Sequence, residues 1–399
     1  RVTDRGVQFF FIDNPELFDR PQLYEEGGAD YPDNHIRFAV FCRAVLGVVR
    51  SLFRPDIIHC HDWQSALVAP YMRHEFRADP TFTGIPNLMT IHNLGYQGVF
   101  GREVVDEIGF GREMYQPARM EFWGRANFLK AGVVFADAVS TVSEGYAREI
   151  QTPEYGFGLD GLLRTKAGVI KGILNGVDYD DWNPETDRFT AAPYSEADLS
   201  GKQICKQDVL RTFGLADDDL SRPLIGIVSR FVSQKGFDLI EEISDWLMSQ
   251  DIMLVAIGSG EPQYEASMRS LADRYPDKAS VIVAYDNEIA HKVEAGADIF
   301  LMPSRYEPCG LNQIYSLRYG TVPVVRATGG LDDTIDESTG FKFDGYSGPA
   351  LMNAITLALE GFRDRTGWEA IMKTGMKRDH SWGAAAAQYS SLYRRMAAE

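Results

Sequence analysis

Short apolar runs alternate along the chain with longer stretches in which apolar residues recur every three or four positions. This alternation is typical of parallel α/β units, in which each buried strand leads into a helix that packs on the sheet. The apolar runs predict strands at residues 7–13, 55–61, 86–92, 137–143, 223–231, 252–260, 279–285, 297–304 and 322–328. The periodic stretches predict helices at residues 236–249, 261–275, 287–295, 311–319 and 348–363, and "SWGAAAAQYSSLYRRM" predicts a last helix.

The α/β pattern occurs twice, on either side of a stretch that has no clear period. This stretch, "NGVDYDDWNPETDRFTAAPYSEADLSG", is rich in Asp, Pro and turn-forming residues, as connections between domains are. A chain of 399 residues is also long enough for two hydrophobic cores. We therefore predict two doubly wound, Rossmann-like domains that face each other across a cleft. Their predicted bounds are residues 1–171 and 203–380, with residues 172–202 as the connection and residues 381–399 packing back on the first domain.

Charge and composition exclude several classes of protein. The net charge of −17 argues against non-specific binding to nucleic acids or anionic membranes. The sequence contains no apolar run of the length that spans a bilayer. The four cysteines have neither paired nor metal-binding spacing, which favours reduced thiols and a cytoplasmic compartment.

Polar, basic and glycine residues follow the predicted strands, where a doubly wound sheet forms its ligand-binding crevice. Arg230 and Lys235 lie between a predicted strand and a predicted helix. The planar guanidinium and the mobile ammonium together suit a diphosphate, although two ordinary surface cations on a solvated loop are the alternative. The glycine-flanked stretches "EPCGLNQ" and "TGG" offer backbone N–H groups to the same anion. A complete dinucleotide-binding glycine fingerprint is missing from the sequence.

The remaining polar residues suggest two other kinds of site. His59, His61 and Asp62 could ligate a metal, but no further cluster completes the site, and a core histidine beside an aspartate in the cleft is favoured. Asp62 and Glu307 could be the carboxylate pair of a glycoside hydrolase, but a role in sugar binding is favoured.

Seven blocks together resemble the bacterial glycogen synthases and plant starch synthases, which have the glycosyltransferase-B fold. The resemblance covers nearly the whole chain in order. The blocks are "HCHDWQSAL", "TIHNLGYQGVF", "LKAGVVFADAVSTVSEGYAREI", "GILNGVDYDDWNPETD", "VSRFVSQKGFDLI", "PSRYEPCGLNQIYSLRYG" and "VVRATGGLDDTI".

The resemblance implies the transfer of glucose from ADP-glucose to the non-reducing end of an α-1,4-glucan, with retention of the α configuration. The donor sugar is then expected between the two domains, with no metal and no cofactor. The preference for ADP over UDP is implied by the resemblance alone. The same is true of the setting, either a bacterial cytoplasm or a plastid stroma.

The resemblance also implies roles for individual residues. Arg230 and Lys235 would hold the diphosphate and stabilise the charge of the leaving group, while Glu307 would contact hydroxyls of the donor glucose. His92 would reach the glucose 6-hydroxyl or the anomeric region, beside Asp62. The other implied substrate-binding residues are Asn175 near the sugar, Cys309, Gly310 and Leu311 at a helix start, Thr328 and Gly329 in the same pocket, and Tyr285 stacked on adenine.

The sequence departs from the family pattern in two respects. A strand leading to a Lys-Thr-Gly-Gly loop is expected near the start, but the chain opens at "GVQFFFID", so weak or absent turnover is expected of these 399 residues alone. Asn312 stands where members of the family usually carry Thr. Tyr315 stands where the wider class places a second glutamate, a difference that the glycogen synthase branch shares.

Two rival functions remain open. Another nucleotide-sugar enzyme of the same fold, such as an epimerase, is one of them. A phosphorylase would need a pyridoxal phosphate lysine and a longer chain, and the sequence signals neither. The second rival is a catalytically inactive glucan-binding or scaffold protein.

Overall fold

The computed structural model describes residues 2–398, which divide into two compact units. The first unit comprises residues 2–142, 147–172 and 389–398. The second comprises residues 143–146 and 173–388. Within the described residues, we find no helix with the length and apolar character that crossing a membrane requires.

The first unit is built on a parallel four-stranded sheet in the order β11-β10-β6-β5. Every residue of β6 and β10 is buried, which explains why these strands lack the regular alternation of apolar and polar residues that a half-exposed strand shows. The strands of this unit are β1 (Val2–Asp4), β2 (Val7–Phe9), β3 (Glu25–Glu26), β4 (Ala29–Asp30), β5 (Ile58–His61), β6 (Asn87–Ile91), β7 (Val99–Phe100), β8 (Glu121–Phe122), β9 (Arg125–Asn127), β10 (Ala138–Thr141) and β11 (Ile170–Gly172).

The prediction of a long strand at residues 7–13 is wrong. Only Val7–Phe9 is a strand, and it pairs antiparallel with Val2–Asp4 in a hairpin whose residues are all exposed. The turn consists of Arg5 and Gly6, which have φ angles of 45° and 83°. Two positive φ angles in succession produce a tight two-residue turn, so the segment folds back on itself instead of extending the parallel sheet.

The second unit is built on a parallel six-stranded sheet in the order β14-β13-β12-β15-β16-β17. Its strands are β12 (Leu224–Val228), β13 (Met253–Gly258), β14 (Ala279–Val283), β15 (Ile299–Met302), β16 (Val322–Arg326) and β17 (Phe341–Phe343). Alternate residues of β12 supply the cores on the two faces: Ile225 and Ile227 belong to one hydrophobic cluster, and Leu224 belongs to the other. This arrangement confirms the predicted doubly wound α/β fold for the unit.

Helices follow most of the strands in both units. The stretch at 236–249, predicted as one helix, is two helices that meet at Ile243. The helices are α1 (Pro15–Phe18), α2 (Asn34–Ser51), α3 (Asp62–Ser65), α4 (Val68–Pro70), α5 (Val104–Glu107), α6 (Phe128–Phe135), α7 (Glu144–Glu149), α8 (Asp160–Thr165), α9 (Ser200–Thr212), α10 (Phe237–Glu242), α11 (Ser244–Ser249), α12 (Pro262–Arg274), α13 (Asn287–Gly296), α14 (Asn312–Arg318), α15 (Gly329–Thr334), α16 (Gly348–Arg363), α17 (Arg365–Met376) and α18 (Trp382–Ala398). One π-helical turn (Tyr71–Glu75) and three 3₁₀ turns (Pro80–Phe82, Ala167–Val169 and Ser233–Lys235) complete the set for residues 2–398.

Candidate functional site

In the second unit, the loops after β12 and β15 leave the sheet next to each other. β12 is hydrogen-bonded to both β13 and β15, so the strand order reverses at this point. Ligands of open parallel sheets bind at the carboxyl ends of the strands where such a reversal occurs. Arg230 and Lys235 lie on the first of these loops and Glu307 on the second. The topology therefore brings together side chains that are 72 residues apart in the chain.

Lys235 and Glu307 form a direct ion pair. The Lys235 ammonium lies 2.6 Å from Oε2 of Glu307, and the Ser304 hydroxyl donates to the same oxygen at 3.0 Å. Glu307 is only 5% exposed. The Lys235 ammonium and the Ser304 hydroxyl together hold its carboxylate in place. Sequence reasoning assigned these two charges to different parts of a ligand and missed both their contact and Ser304.

A cavity of about 170 Å³ opens beside this ion pair. Its lining includes Arg230, Lys235, Gly310, Leu311 and Asn312. The two cations and the start of α14 thus face one space, as the sequence predicts for a diphosphate pocket. The roles of these residues remain predictions.

A hydrogen bond from Asn312 links the start of α14 to the end of β12. Its side-chain amide donates to the Val228 carbonyl oxygen at 2.6 Å. Leu311, the N-cap of α14, provides no side-chain hydrogen bond to the helix, and Gly310 before it has a φ of 67°. The amide of Asn312 is therefore engaged by the protein backbone, whereas the capping position contributes only main chain.

The start of α15 packs on the backbone of the Glu307 loop. The Gly330 N–H donates to the Glu307 carbonyl at 3.0 Å, and a β-carbon at Gly330 would lie 1.9 Å from the Cys309 carbonyl oxygen. Only glycine permits this approach. Thr328 is buried at the N-cap of the same helix, and Gly329 follows it with a φ of 45°.

Cys309 lies on the Glu307 loop, next to the backbone of Asn175. Its thiol is buried, and burial raises its pKa to about 12, although a hydrogen bond with the Asn175 backbone opposes the shift. The thiol is therefore protonated at neutral pH and is no nucleophile. The other three cysteines, Cys42, Cys60 and Cys205, are also buried and free.

Tyr285 follows the edge strand β14 and is 90% exposed. An aromatic ring in this position is available for stacking on a planar ligand. Its proposed contact with adenine remains a prediction.

Gly236, which follows Lys235, offers a direct test of loop packing. Its φ is 78°, and a β-carbon would lie 2.1 Å from the Pro303 carbonyl oxygen. We expect Gly236→Ala to lower the free energy of unfolding by about 3 kcal/mol, because backbone strain and a backbone collision add. The glucosyl transfer that the seven sequence blocks imply should also fall in the variant, since the collision separates the loops that carry Lys235 and Glu307.

Gly214→Ala is the matched control for this substitution. Gly214 has a φ of 71°, but a β-carbon at this position would have no other atom within 4 Å. The backbone strain alone should lower the free energy of unfolding by about 1 kcal/mol and leave turnover unchanged. Equal losses of stability, measured by denaturant unfolding, and of turnover in the two variants would contradict this packing.

In the first unit, Asp62 and His92 are joined at the ends of neighbouring strands. The His92 N–H donates to Oδ1 of Asp62 at 2.8 Å, and Nε2 of His92 lies 3.0 Å from Nδ1 of His61. Burial raises the pKa of Asp62, although N–H donation from His92 and Asn93 opposes this shift. Burial also lowers the pKa of His92, so its imidazole is neutral at pH 7. Asp62 has a φ of 54°, a strained conformation that is common at functional sites.

His59 belongs to a polar network across the sheet. Its Nε2 lies 2.5 Å from the Thr90 hydroxyl, which contacts the Ser140 hydroxyl, and its Nδ1 lies 2.6 Å from the Tyr393 hydroxyl. Burial, with His61 and His92 nearby, lowers the pKa of His59 to about 3. Within residues 2–398, no group of three or more His, Cys, Asp or Glu side chains is arranged to hold a metal ion.

The lowered pKa of His59 makes the stability of the protein depend on pH. The folded-state pKa of His59 lies below its unfolded value, so the unfolded chain binds more protons at mildly acidic pH. The stabilisation is complete above the unfolded pKa, about 6.5, and is lost as the pH falls towards 3. We expect the free energy of unfolding to fall by about 2 kcal/mol from this group between pH 7 and pH 5. Urea titrations of the wild type and His59→Gln should show a shallower pH dependence in the variant; identical slopes would contradict the assignment.

Tyr315, which stands at the glutamate position of the wider class, takes part in aromatic stacking. Its ring lies 3.9 Å from that of Trp182 at an interplanar angle of 10°, and His291 stacks on Trp182 at 3.7 Å. No sequence pattern indicates this contact, because Trp182 lies in the stretch without a clear period. A carboxylate here would lose the stacking.

Two family profiles match the chain. The profile described as "Starch synthase catalytic domain" matches residues 1–165, and the one described as "Glycosyl transferases group 1" matches residues 217–371. Their boundaries fall on either side of the stretch that lacks a clear period.

Curated relatives and solved structures give a closer comparison. The glycogen synthase of Koribacter versatilis is 53% identical over 97% of this chain and 81% of its own length. The glycogen synthase of an Anaeromyxobacter species is 47% identical over 100% of this chain and 85% of its own length. The catalytic domain of starch synthase IV from Arabidopsis thaliana, bound to ADP and acarbose, has a TM-score of 0.88 at 34% identity and covers 95% of this chain and 80% of that one.

Sucrose-phosphate synthase from Thermosynechococcus elongatus has a TM-score of 0.62 at 21% identity, covering 100% of this chain and 88% of that one, and therefore supports the fold alone. The resemblance inferred from the seven sequence blocks is confirmed by the other comparisons. On the evidence of the full-length relatives and the paired α/β units, this chain belongs to the glycogen synthase family of glycosyltransferases.

Proposed function

We propose that this enzyme transfers glucose from ADP-glucose to the non-reducing end of an α-1,4-glucan with retention of the α configuration. The observation that carries the proposal is the position of Arg230 and Lys235. Both cations line one cavity at the point where the strand order reverses, next to the start of α14. Membership of the glycogen synthase family supports the class of donor and acceptor.

The two cations suit the chemistry of the leaving group. Cleavage of the bond between glucose and a diphosphate places negative charge on the departing phosphate oxygens. Fixed positive groups stabilise that charge without having to reorganise during the reaction. An ammonium has three donors, so the contact of Lys235 with Glu307 leaves it able to bind phosphate oxygens as well.

Glu307 is suited to orienting the donor sugar. Lys235 and Ser304 both contact Oε2, and we assign Oε1 to the hydroxyls of the glucose. Because an ammonium and a hydroxyl hold Oε2, the carboxylate is fixed in one orientation, which suits a role in sugar binding. The ion pair also fixes the position of Lys235 relative to the sugar.

The remaining assignments follow the family pattern. His92, neutral and held by Asp62, would donate or accept a hydrogen bond at the sugar and contribute no charge. Asn175, Cys309, Gly310, Leu311, Thr328 and Gly329 would line the donor pocket, and the exposed Tyr285 would stack on adenine. We assign no metal or cofactor to the reaction. The buried free cysteines support a reducing compartment, such as a bacterial cytoplasm.

The direct test is glucosyl transfer by the full-length enzyme. ADP release should require both ADP-glucose and a maltooligosaccharide, and the product should be one α-linked glucose longer. ADP-glucose should also outcompete UDP-glucose in a mixed assay. A β-linked product, or hydrolysis of the donor without chain extension, would contradict the proposal, and binding of glucan without any transfer would favour a scaffold.

A further inference from the structure

A strained tryptophan occupies the tip of a hairpin in the first unit. Phe122 and Arg125 are paired across the turn between β8 and β9, so Trp123 and Gly124 are its two central residues. Their φ angles are 50° and 79°, as in the type I′ turns for which Asn-Gly or Asp-Gly is the usual choice. A bulky side chain at positive φ raises the backbone energy. Such strain is a reason to look for a function of the side chain rather than a role in stability.

The indole of Trp123 is exposed and yet fixed in position. Trp123 is 78% exposed, and its ring stacks on that of Phe122 with centroids 4.5 Å apart. A β-carbon at Gly158 would lie 2.5 Å from Cη2 of the indole, and Gly158 has a φ of 80°. The ring therefore packs against Gly158, while most of Trp123 remains exposed.

Two more exposed aromatic residues lie on loops attached to this hairpin. Tyr96 is 55% exposed and Phe157 is 37% exposed. The side chain of Gln97, the neighbour of Tyr96, donates to the Phe157 carbonyl at 3.2 Å and accepts from Asn127, at the end of β9, at 2.6 Å. We call the set Tyr96, Phe122, Trp123 and Phe157 the aromatic platform.

We propose that the aromatic platform binds the α-1,4-glucan acceptor. This inference rests on the proposed function, which requires such a chain to be held. A pyranose ring has apolar C–H faces and a polar rim, so its face stacks on an aromatic ring while its hydroxyls stay hydrated. A glucan is also uncharged, and a protein with a net charge of −17 does not repel it.

Continuity with the candidate site favours the acceptor over an unrelated ligand. The loop that presents Tyr96 begins at His92, four residues earlier, and His92 is bonded to Asp62. Gln97 on the same loop is buried and anchors the neighbouring elements. A glucan lying on the platform would thus be adjacent along one ordered loop to a proposed sugar-binding side chain.

The test compares Trp123→Asn with Trp123→Phe in the full-length enzyme. Asn removes the ring but suits the turn, so loss of folding is not expected. The dissociation constant for maltoheptaose and the KM for glycogen should each rise about tenfold in Trp123→Asn, the factor that corresponds to about 1.4 kcal/mol of lost binding. The kcat and the KM for ADP-glucose should stay within about twofold, and Trp123→Phe should retain most of the affinity. Leu357→Asn, which removes an apolar side chain that is 47% exposed in the second unit, is the control and should change nothing.

Unchanged maltoheptaose affinity in Trp123→Asn would overturn the inference and leave the proposed function intact. A change of oligomeric state in sedimentation, with glucan binding unaltered, would also overturn it and identify a protein contact. Ring-dependent maltoheptaose binding in an enzyme that does not release ADP would support the platform while contradicting the proposed function.

Discussion

Lys235→Ala should reduce the kcat of glucosyl transfer by about 10²- to 10³-fold, the loss typical of removing one preorganised donor to a developing oxyanion. Lys235 faces the same cavity as Arg230, so the ammonium is positioned to neutralise the departing phosphate. The KM for glucan should change by less than about threefold, because Lys235 stabilises charge on the leaving group and does not contribute to binding of the acceptor. Steady-state kinetics with ADP-glucose and maltoheptaose at varied concentration measure both quantities.

Lys342→Ala is the control for the loss of a lysine. Lys342 also pairs with a carboxylate at 2.6 Å, that of Asp332, but this pair is much more exposed. Its removal should leave kcat within about twofold and stability within about 1 kcal/mol. A Lys235→Ala enzyme with nearly normal kcat, or one whose main defect is in glucan KM, would contradict the role assigned to the ammonium.

Glu307→Ala should lower kcat by about 100-fold, and the losses caused by Glu307→Ala and Lys235→Ala should be less than additive in the double variant. The two side chains share a buried contact of 2.6 Å, so either substitution leaves the other charge unpaired. A double-mutant cycle on unfolding free energy should give a coupling of about 1.5 kcal/mol or more. The matched cycle on Lys342 and Asp332 should give less than about 0.5 kcal/mol.

The outcome of this cycle also separates two explanations of the Glu307 effect. If the carboxylate only positions Lys235, Glu307→Ala should have no further effect on kcat in a Lys235→Ala background. If it also orients the donor sugar, as proposed, a residual loss should remain in that background. Fully additive losses in both stability and kcat would contradict the structural pairing.

Buried parallel strands were predictable because both of their faces are covered. Met253–Gly258, for example, is a continuous apolar run with turn formers after it, and the structure places a strand there. The strand Phe341–Phe343 was missed because three residues carry too little pattern. Residues 7–13 misled the prediction because positive φ angles at Arg5 and Gly6, which the apolar pattern does not encode, reverse the chain.

The candidate site was predictable in its residue types but not in its contacts. A cation pair after one strand and an acid after another suggested a ligand crevice, yet the pairing of Lys235 with Glu307 depends on β12 lying next to β15. Strand order is set by the whole sheet, so no local motif reveals it. Trp123 was missed for a related reason, since tryptophan is not a residue by which a type I′ turn is recognised.

The proposed mechanism requires Arg230 and Lys235 to neutralise the diphosphate of the donor. A crystal structure of the full-length enzyme soaked with ADP tests it most directly. Phosphate oxygens should lie within about 3 Å of the Arg230 guanidinium and the Lys235 ammonium, beside the start of α14. An ADP molecule bound elsewhere, or one whose phosphates contact neither cation, would contradict it.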